Sequence, residues 1–213
     1  MTVGIIDYGV GNLGSIVNSL RRLNNNVSLI NNPSKLADAE SYILPGVGAF
    51  SDCMNILDKD GWSKLIKENV VNKKKPILGI CIGMQLLATH GEEGAANGKL
   101  IKGLDLIPGT VKSLLNLGCN KRLPHVGWNN LINKKENKLL EKIENGTDFY
   151  FVHSYAFYPQ NFNDVIASID YGISIPCIIH KDNIWGTQFH PEKSSKAGFM
   201  VLKNFISINN AKN

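Results

Sequence analysis

Apolar and polar positions alternate along this chain in blocks. Strand-like runs at Val3 to Asp7, Val27 to Asn31, Ser41 to Leu44 and Pro76 to Ile80 are separated by stretches whose apolar residues return every three or four positions, Leu13 to Leu23 and Ala49 to Asn72. The first rhythm is that of strands buried on both faces, the second that of amphipathic helices. The longer helical stretch should break near Gly61, because glycine is a poor helix-interior residue. Strand and helix in succession predict a parallel sheet covered on both sides, flavodoxin-like in the first half of the chain. Past Gly94 the blocks shorten, and strands are expected at Thr110 to Leu114, Asp148 to Ala156, Ala167 to Asp170, Cys177 to His180 and Ile184 to Phe189. Lys181-Asp182-Asn183 reads as a hairpin turn, and a last helix is expected over roughly Lys196 to Ile208. No repeat, linker or low-complexity segment interrupts the pattern. Residues 1–213 are therefore expected to form one α/β domain, a central mixed sheet with helices on both faces.

Composition narrows the function more than the fold. The net charge of +5 and pI near 9.0 come from scattered lysines, with a run at Lys73-Lys74-Lys75 that carries no interleaved aromatics and reads as a solvated face, not a nucleic-acid site. Four cysteines, Cys53, Cys81, Cys119 and Cys177, show no C-x-x-C spacing, so neither a disulfide framework nor a metal site is expected. The longest uncharged apolar stretch, Pro76 to Ala88, is too short to span a bilayer. The N-terminus shows no secretory pattern, and a cytoplasmic location is expected, with Asn26-Val27-Ser28 and Asn145-Gly146-Thr147 as chance sequons.

Two glycine-rich turns follow strands. Gly9-Val10-Gly11-Asn12-Leu13-Gly14 has the spacing of a dinucleotide-binding loop, but the second strand then ends in Asn31-Asn32-Pro33 with no carboxylate to hold a ribose. A tight strand-to-helix turn is the preferred reading, and no cofactor is expected. The other is Gly79-Ile80-Cys81-Ile82-Gly83, with Cys81 where a buried strand meets a helix-like run. A free cysteine is usually a packing residue. Here two flanking glycines relieve the crowding of a sharp reversal, the geometry of a nucleophile elbow, and a helix N-terminus beside the thiol would favour negative charge there.

Far downstream, His190-Pro191-Glu192 follows the strand-like run Ile184 to Phe189. In extended chain, residues two apart share a face, so an imidazole and a carboxylate could meet at one site. Cys81, His190 and Glu192 would then supply a nucleophile, a base and an orienter. The elbow geometry makes the backbone N–H of Ile82 one oxyanion donor.

These motifs, with Asp7-Tyr8-Gly9-Val10-Gly11-Asn12-Leu13, Pro45-Gly46-Val47-Gly48, Pro124-His125-Val126-Gly127-Trp128-Asn129, Phe151-Val152-His153-Ser154-Tyr155 and the run from Gly186 to Ser194, resemble class I glutamine amidotransferases. Within that class they are similar to the glutaminase subunits of imidazole glycerol phosphate synthases, over about Gly4 to Phe205. The resemblance implies hydrolysis of glutamine through a glutamyl thioester on Cys81, with the ammonia passed to a (β/α)8-barrel cyclase subunit in a heterodimer. It implies a second oxyanion donor at Val47 or Gly48, on a turn that completes the site when the partner is loaded. It implies glutamine contacts from Gln85, Glu93, Ser154 and Tyr155, with Glu92 able to replace Glu93, and a partner interface at Asn12, Trp128 and Lys193. Ile82 stands where leucine is commoner, Ala156 is smaller than in many relatives, and Asn116 to Lys121 matches no pattern of the family.

Three alternatives stay open on sequence alone. A paralogue could supply ammonia to another synthase, for instance in surface-sugar amidination. A cysteine peptidase or other hydrolase of related fold also places its thiol on an elbow, and a binding module could keep the elbow without the chemistry. No nucleic-acid or membrane partner is expected.

Overall fold

A computed structural model gives the architecture of residues 2–23, 26–132 and 135–210, the side chains of Asn209 and Asn210 excepted. In chain order the described elements are β1 (Thr2–Ile6), α1 (Leu13–Arg21), β2 (Asn26–Ile30), β3 (Ser41–Leu44), α2 (Phe50–Lys59), α3 (Trp62–Lys67), β4 (Ile77–Ile80) and α4 (Ile82–Leu86). They continue with β5 (His90–Ala96), β6 (Lys99–Lys102), β7 (Gly109–Ser113), β8 (His125–Asn130), β9 (Asp148–His153), β10 (Tyr155–Pro159), β11 (Val165–Asp170), β12 (Ser174–Lys181), β13 (Ile184–Thr187) and α5 (Ser195–Asn210).

Among the described residues, seven strands form one sheet in the order β11-β12-β13-β4-β3-β1-β2. The half from β13 to β2 is parallel, whereas β11, β12 and β13 run antiparallel to their neighbours in that group. The expected flavodoxin-like half and mixed sheet are therefore present. Pleating sends alternate side chains to opposite faces. Val3, Ile5, Ile43, Leu78 and Ile80 join one apolar cluster with α1 and α5, while Ile6, Tyr42, Leu44 and Ile77 join another with α2, α3 and α4. Helix α2 shows the matching stripe, burying Phe50, Cys53, Met54 and Leu57 at helical spacing. It stops where Gly61 adopts a φ of +79°, close to the expected break, and the chain restarts as α3.

Register decides where the chemistry goes. In the parallel pairs, Leu44 lies opposite Gly79 and Ile80 opposite Thr187. The segments leaving β3, β4 and β13 thus emerge side by side at one sheet edge, where ligands collect in open α/β sheets. Those segments begin at Pro45, Cys81 and Gln188.

The second half departs from expectation. Asp148 to Ala156 is two strands in two sheets: β9 pairs with β8, whereas β10 pairs with β7 in a sheet ordered β10-β7-β5-β6. Ser154 is the junction, and unbroken apolar character on both sides of it conceals the change of partner. Strands β5, β6 and β8 are absent from the sequence reading. The hairpin turn is in place, with Asp182 at a φ of +55° and the buried Asn183 amide donating to the carbonyls of Val70 and Lys75.

Candidate active site

Cys81 has φ +56° and ψ −111°, a conformation that costs a side-chain-bearing residue roughly 1–3 kcal/mol. Neighbouring strands hold it there, since its N–H donates to the Thr187 carbonyl at 2.8 Å. The two glycines of the elbow are required by contact. A Cβ on Gly79 would sit 2.5 Å from the Gly83 carbonyl oxygen, and one on Gly83 would overlap the Leu44 carbonyl. The helix after the thiol, α4, has five residues, so local N–H groups rather than a long helix dipole must support negative charge beside Cys81.

His190 and Glu192 meet by a different route from the extended one expected. Strand β13 ends at Thr187, and Pro191–Lys193 is a single 3₁₀ turn with proline at its start, where a missing N–H costs nothing. The turn brings Glu192 Oε1 within 2.8 Å of His190 Nδ1, both side chains almost fully buried. Ser194 secures the turn, its hydroxyl donating to the His190 carbonyl and accepting the Tyr150 N–H. With Nδ1 committed to Glu192, the other ring nitrogen is left for the Cys81 thiol, which in the resting site donates to the Val152 carbonyl at 3.8 Å. Burial works against the charged imidazole, but Cys81 and Glu192 outweigh it and push His190 up to about 9. Among the described residues Glu192 Oε2 has no partner.

A cavity of about 270 Å³ opens over Cys81, at the small end of ligand pockets. The structure brings to it Cys81, His190, Val47, Gly48, Ile82, Gln85, Glu93, Ser154 and Tyr155, nine of the residues picked from sequence, with Glu192 behind His190. Gln85 is buried. Its Nε2 donates to the Tyr155 carbonyl and to Gln188 Oε1, both at 3.0 Å, which leaves Oε1 without a described partner in the cavity wall. Strand alternation separates the two candidate glutamates. Glu93 lines the cavity and accepts the Phe50 N–H at 2.8 Å, and burial raises its carboxyl. Glu92 instead accepts from Ser113 N–H and the Asn116 amide. The unmatched segment thereby gains a place, since Cys119 also donates to the Tyr171 carbonyl.

Asn12, Trp128 and Lys193 are not on this cavity. Asn12 is exposed and borders a small cleft shared with Val47, His190 and Glu192. Trp128 is 54% exposed and stands edge-on to Tyr150, with the Lys193 ammonium 6.0 Å from the same ring.

Sequence reasoning missed Gln188 and a histidine pair. Gln188 is fully buried, and its Nε2 points at Cys81 Sγ from 3.9 Å. An amide inside the apolar run before His190 was the available signal. His153 Nδ1 must donate to the Tyr155 carbonyl at 2.8 Å, so its Nε2 accepts from His125 Nδ1 at 3.0 Å. Burial lowers both rings, His125 to about 4 and His153 to about 3. They form a neutral pair, and His153 itself lines the cavity.

A thiol and a base with its carboxylate at one small cavity suit acyl transfer. Residues 4–208 match the family model described as glutamine amidotransferase class-I. The chain belongs to this family. Relatives of this glutamine amidotransferase include the imidazole glycerol phosphate synthase subunit HisH of Leptospira interrogans, 42% identical over 97% of this chain and 100% of the relative. The HisH subunit of Moorella thermoacetica is 44% identical over 95% of this chain and 93% of its own. In fold, the amidotransferase matches a crystal structure of a glutamine amidotransferase with a TM-score of 0.75 at 16% identity, covering 98% of both chains. It matches PurLQS from Thermotoga maritima with a TM-score of 0.73 at 16% identity, over 97% of this chain and 98% of that one. Among the described residues of the amidotransferase no group of three metal-binding side chains is gathered, and no helix is long and apolar enough to cross a membrane.

Proposed function

We propose that this chain is the glutamine-hydrolysing subunit of an imidazole glycerol phosphate synthase, acting in histidine biosynthesis in the cytoplasm as a single amidotransferase domain. The carrying observation is the Cys81, His190 and Glu192 line, delivered by adjacent strands to a cavity that Gln85 and Glu93 also line. Cys81 attacks the side-chain amide carbon of glutamine while His190 takes the thiol proton. The Ile82 N–H and an N–H of the Val47-Gly48 turn stabilise the oxyanion. His190 returns its proton to the departing nitrogen, ammonia leaves, and water cleaves the thioester to release glutamate. Glu192 holds the imidazole and stabilises its charge. Gln85 Oε1 and Glu93 are acceptors suited to the substrate ammonium, while Ser154 and Tyr155 border its carboxylate.

The ammonia acceptor resides on a (β/α)8-barrel cyclase subunit, and the two chains form a heterodimer. Trp128, Tyr150 and Lys193, with exposed Val126 at 55%, make an aromatic and cationic patch of the kind that anchors interfaces, and exposed Asn12, on the small cleft beside Glu192, is assigned to the same partner. No cofactor takes part. The test is glutamate release on mixing the chain with the cyclase subunit and its phosphorylated ribulosyl ligand. Strong stimulation is expected. No stimulation would assign the chain to another synthase.

A further inference from the structure

Gln188 is fully buried beside the nucleophile, and the scheme above gives it no role. The sheet fixes both backbones. The Gln188 N–H donates to the Cys177 carbonyl on β12, and the Cys81 N–H donates to the carbonyl of Thr187, the residue before Gln188, each at 2.8 Å. The direction of the Gln188 amide follows from a chain of hydrogen bonds. The Tyr155 carbonyl can only accept, so the group that Gln85 turns to it is its NH2. That same NH2 lies 3.0 Å from Gln188, which must therefore present Oε1 to receive its second proton. Gln188 Nε2 is left facing Cys81 Sγ at 3.9 Å.

The thiol gives its one proton to the Val152 carbonyl, so the Gln188 N–H meets the lone pairs of the sulfur. To a neutral sulfur such a contact is weak. Once His190 has taken the thiol proton, the sulfur is a buried anion and the same contact becomes charge-assisted. Helix α4, with five residues, supplies little of that support. We propose that Gln188 is a further catalytic residue, whose amide N–H stabilises the Cys81 thiolate while its Oε1 holds Gln85 in place for the substrate. The inference rests on the glutaminase reading and adds to it a group that touches the reacting sulfur. The other titratable groups around Cys81 are His190 with Glu192 behind it, His153 on β9, Glu93 on β5, Tyr8 after β1 and Cys53 on α2, and a change at Gln188 alters the chemistry of none of them.

The experiment uses the full chain with its cyclase subunit and compares wild type, Gln188→Met and Gln188→Glu, with folding checked by thermal melts. Alkylation of Cys81 by iodoacetamide, read by peptide mass from about pH 5 to about pH 10, follows the thiolate. A hydrogen bond to a charged group is worth roughly tenfold or more, so the midpoint of that profile should rise by about one pH unit in Gln188→Met. The plateau at high pH should not fall, because a less stabilised thiolate is the stronger nucleophile. In Gln188→Glu a negative charge faces the sulfur, and the midpoint should rise further. Gln188→Glu keeps an acceptor for Gln85 and should hold KM for glutamine within about twofold, whereas Gln188→Met should raise it about fivefold. In the wild-type chain the Gln188 side-chain amide protons should shift in NMR at the same midpoint, and lose that response once Cys81 is alkylated, a readout that needs no variant. A Gln188→Met midpoint within about 0.3 of wild type overturns the inference. So does a lowered plateau, which would mean a damaged elbow, or an amide signal indifferent to the thiol. If the wild-type pair releases no glutamate, the glutaminase reading fails, while the alkylation midpoints still decide whether Gln188 supports the thiolate.

Discussion

Replacing Glu192 by glutamine probes the catalytic line at its most buried point. Glutamine keeps the length of the side chain and an oxygen that can accept from His190 Nδ1, 2.8 Å away, so what is removed is the negative charge. Two unit charges with centres roughly 4 Å apart interact by about 4 kcal/mol at an effective dielectric near 20. Retaining the hydrogen bond and local relaxation reduce the loss to roughly 3–4 kcal/mol. At 1.36 kcal/mol per tenfold, that is a fall of a hundred- to a thousandfold in kcat. The loss falls on kcat because Glu192 supports the imidazolium that holds the thiol proton and returns it to the leaving nitrogen, and KM should stay within about twofold. The ring, now at about 9, should titrate lower, since burial would act on it with only Cys81 left to oppose. The assay is glutamate release by the Glu192→Gln chain with its cyclase subunit from pH 6 to pH 10. A kcat within threefold of wild type would refute the electrostatic role of Glu192.

Gly83→Ala should destabilise the fold by more than about 3 kcal/mol, because the new methyl overlaps the Leu44 carbonyl and backbone has nowhere to move; urea unfolding gives the value. The neutral histidine pair predicts acid sensitivity above the carboxylate range. His125 and His153 are lowered in the fold, so the unfolded chain binds protons first as pH drops below about 6.5, and stability should fall toward pH 5 by up to about 1.4 kcal/mol per pH unit for each ring. His190 has the opposite sign, its contribution complete below pH 6.5 and lost as pH rises through about 9. Unfolding midpoints at pH 7.5, 6 and 5 measure the acid limb. Glu93→Gln should raise KM for glutamine about tenfold and Glu92→Gln should leave it unchanged, which steady-state kinetics would establish.

Legibility in the sequence followed burial. Strands β1, β3 and β4 are enclosed by helices on both sides, so their composition alone announced them, and Gly79 and Gly83 marked the elbow because no other residue fits. Strand β5, His-Gly-Glu-Glu-Gly-Ala-Ala, carries little strand propensity and exists because β6 and β7 pair with it. Strand β8 does alternate exposed and less exposed residues, but Gly127 at φ +141° and two asparagines hide the pattern. The choice between Glu92 and Glu93 needed strand orientation, and Gln188 needed the β4 and β13 pairing that sets it beside Cys81. Pairings across more than a hundred residues have no local signal.

That same pairing shapes how the molecule must be made. Strand β4 is complete at residue 80, but its neighbour on one side, β13, begins at residue 184. During synthesis a fully apolar strand, Ile-Leu-Gly-Ile, therefore waits as an open sheet edge while about a hundred further residues leave the ribosome. The nascent protein is exposed to intermolecular strand pairing throughout that interval, and a chain shortened before residue 184 would carry the same edge permanently. Chaperone dependence and insolubility of C-terminal truncations are thus written into a topology that places the nucleophile early and its base late.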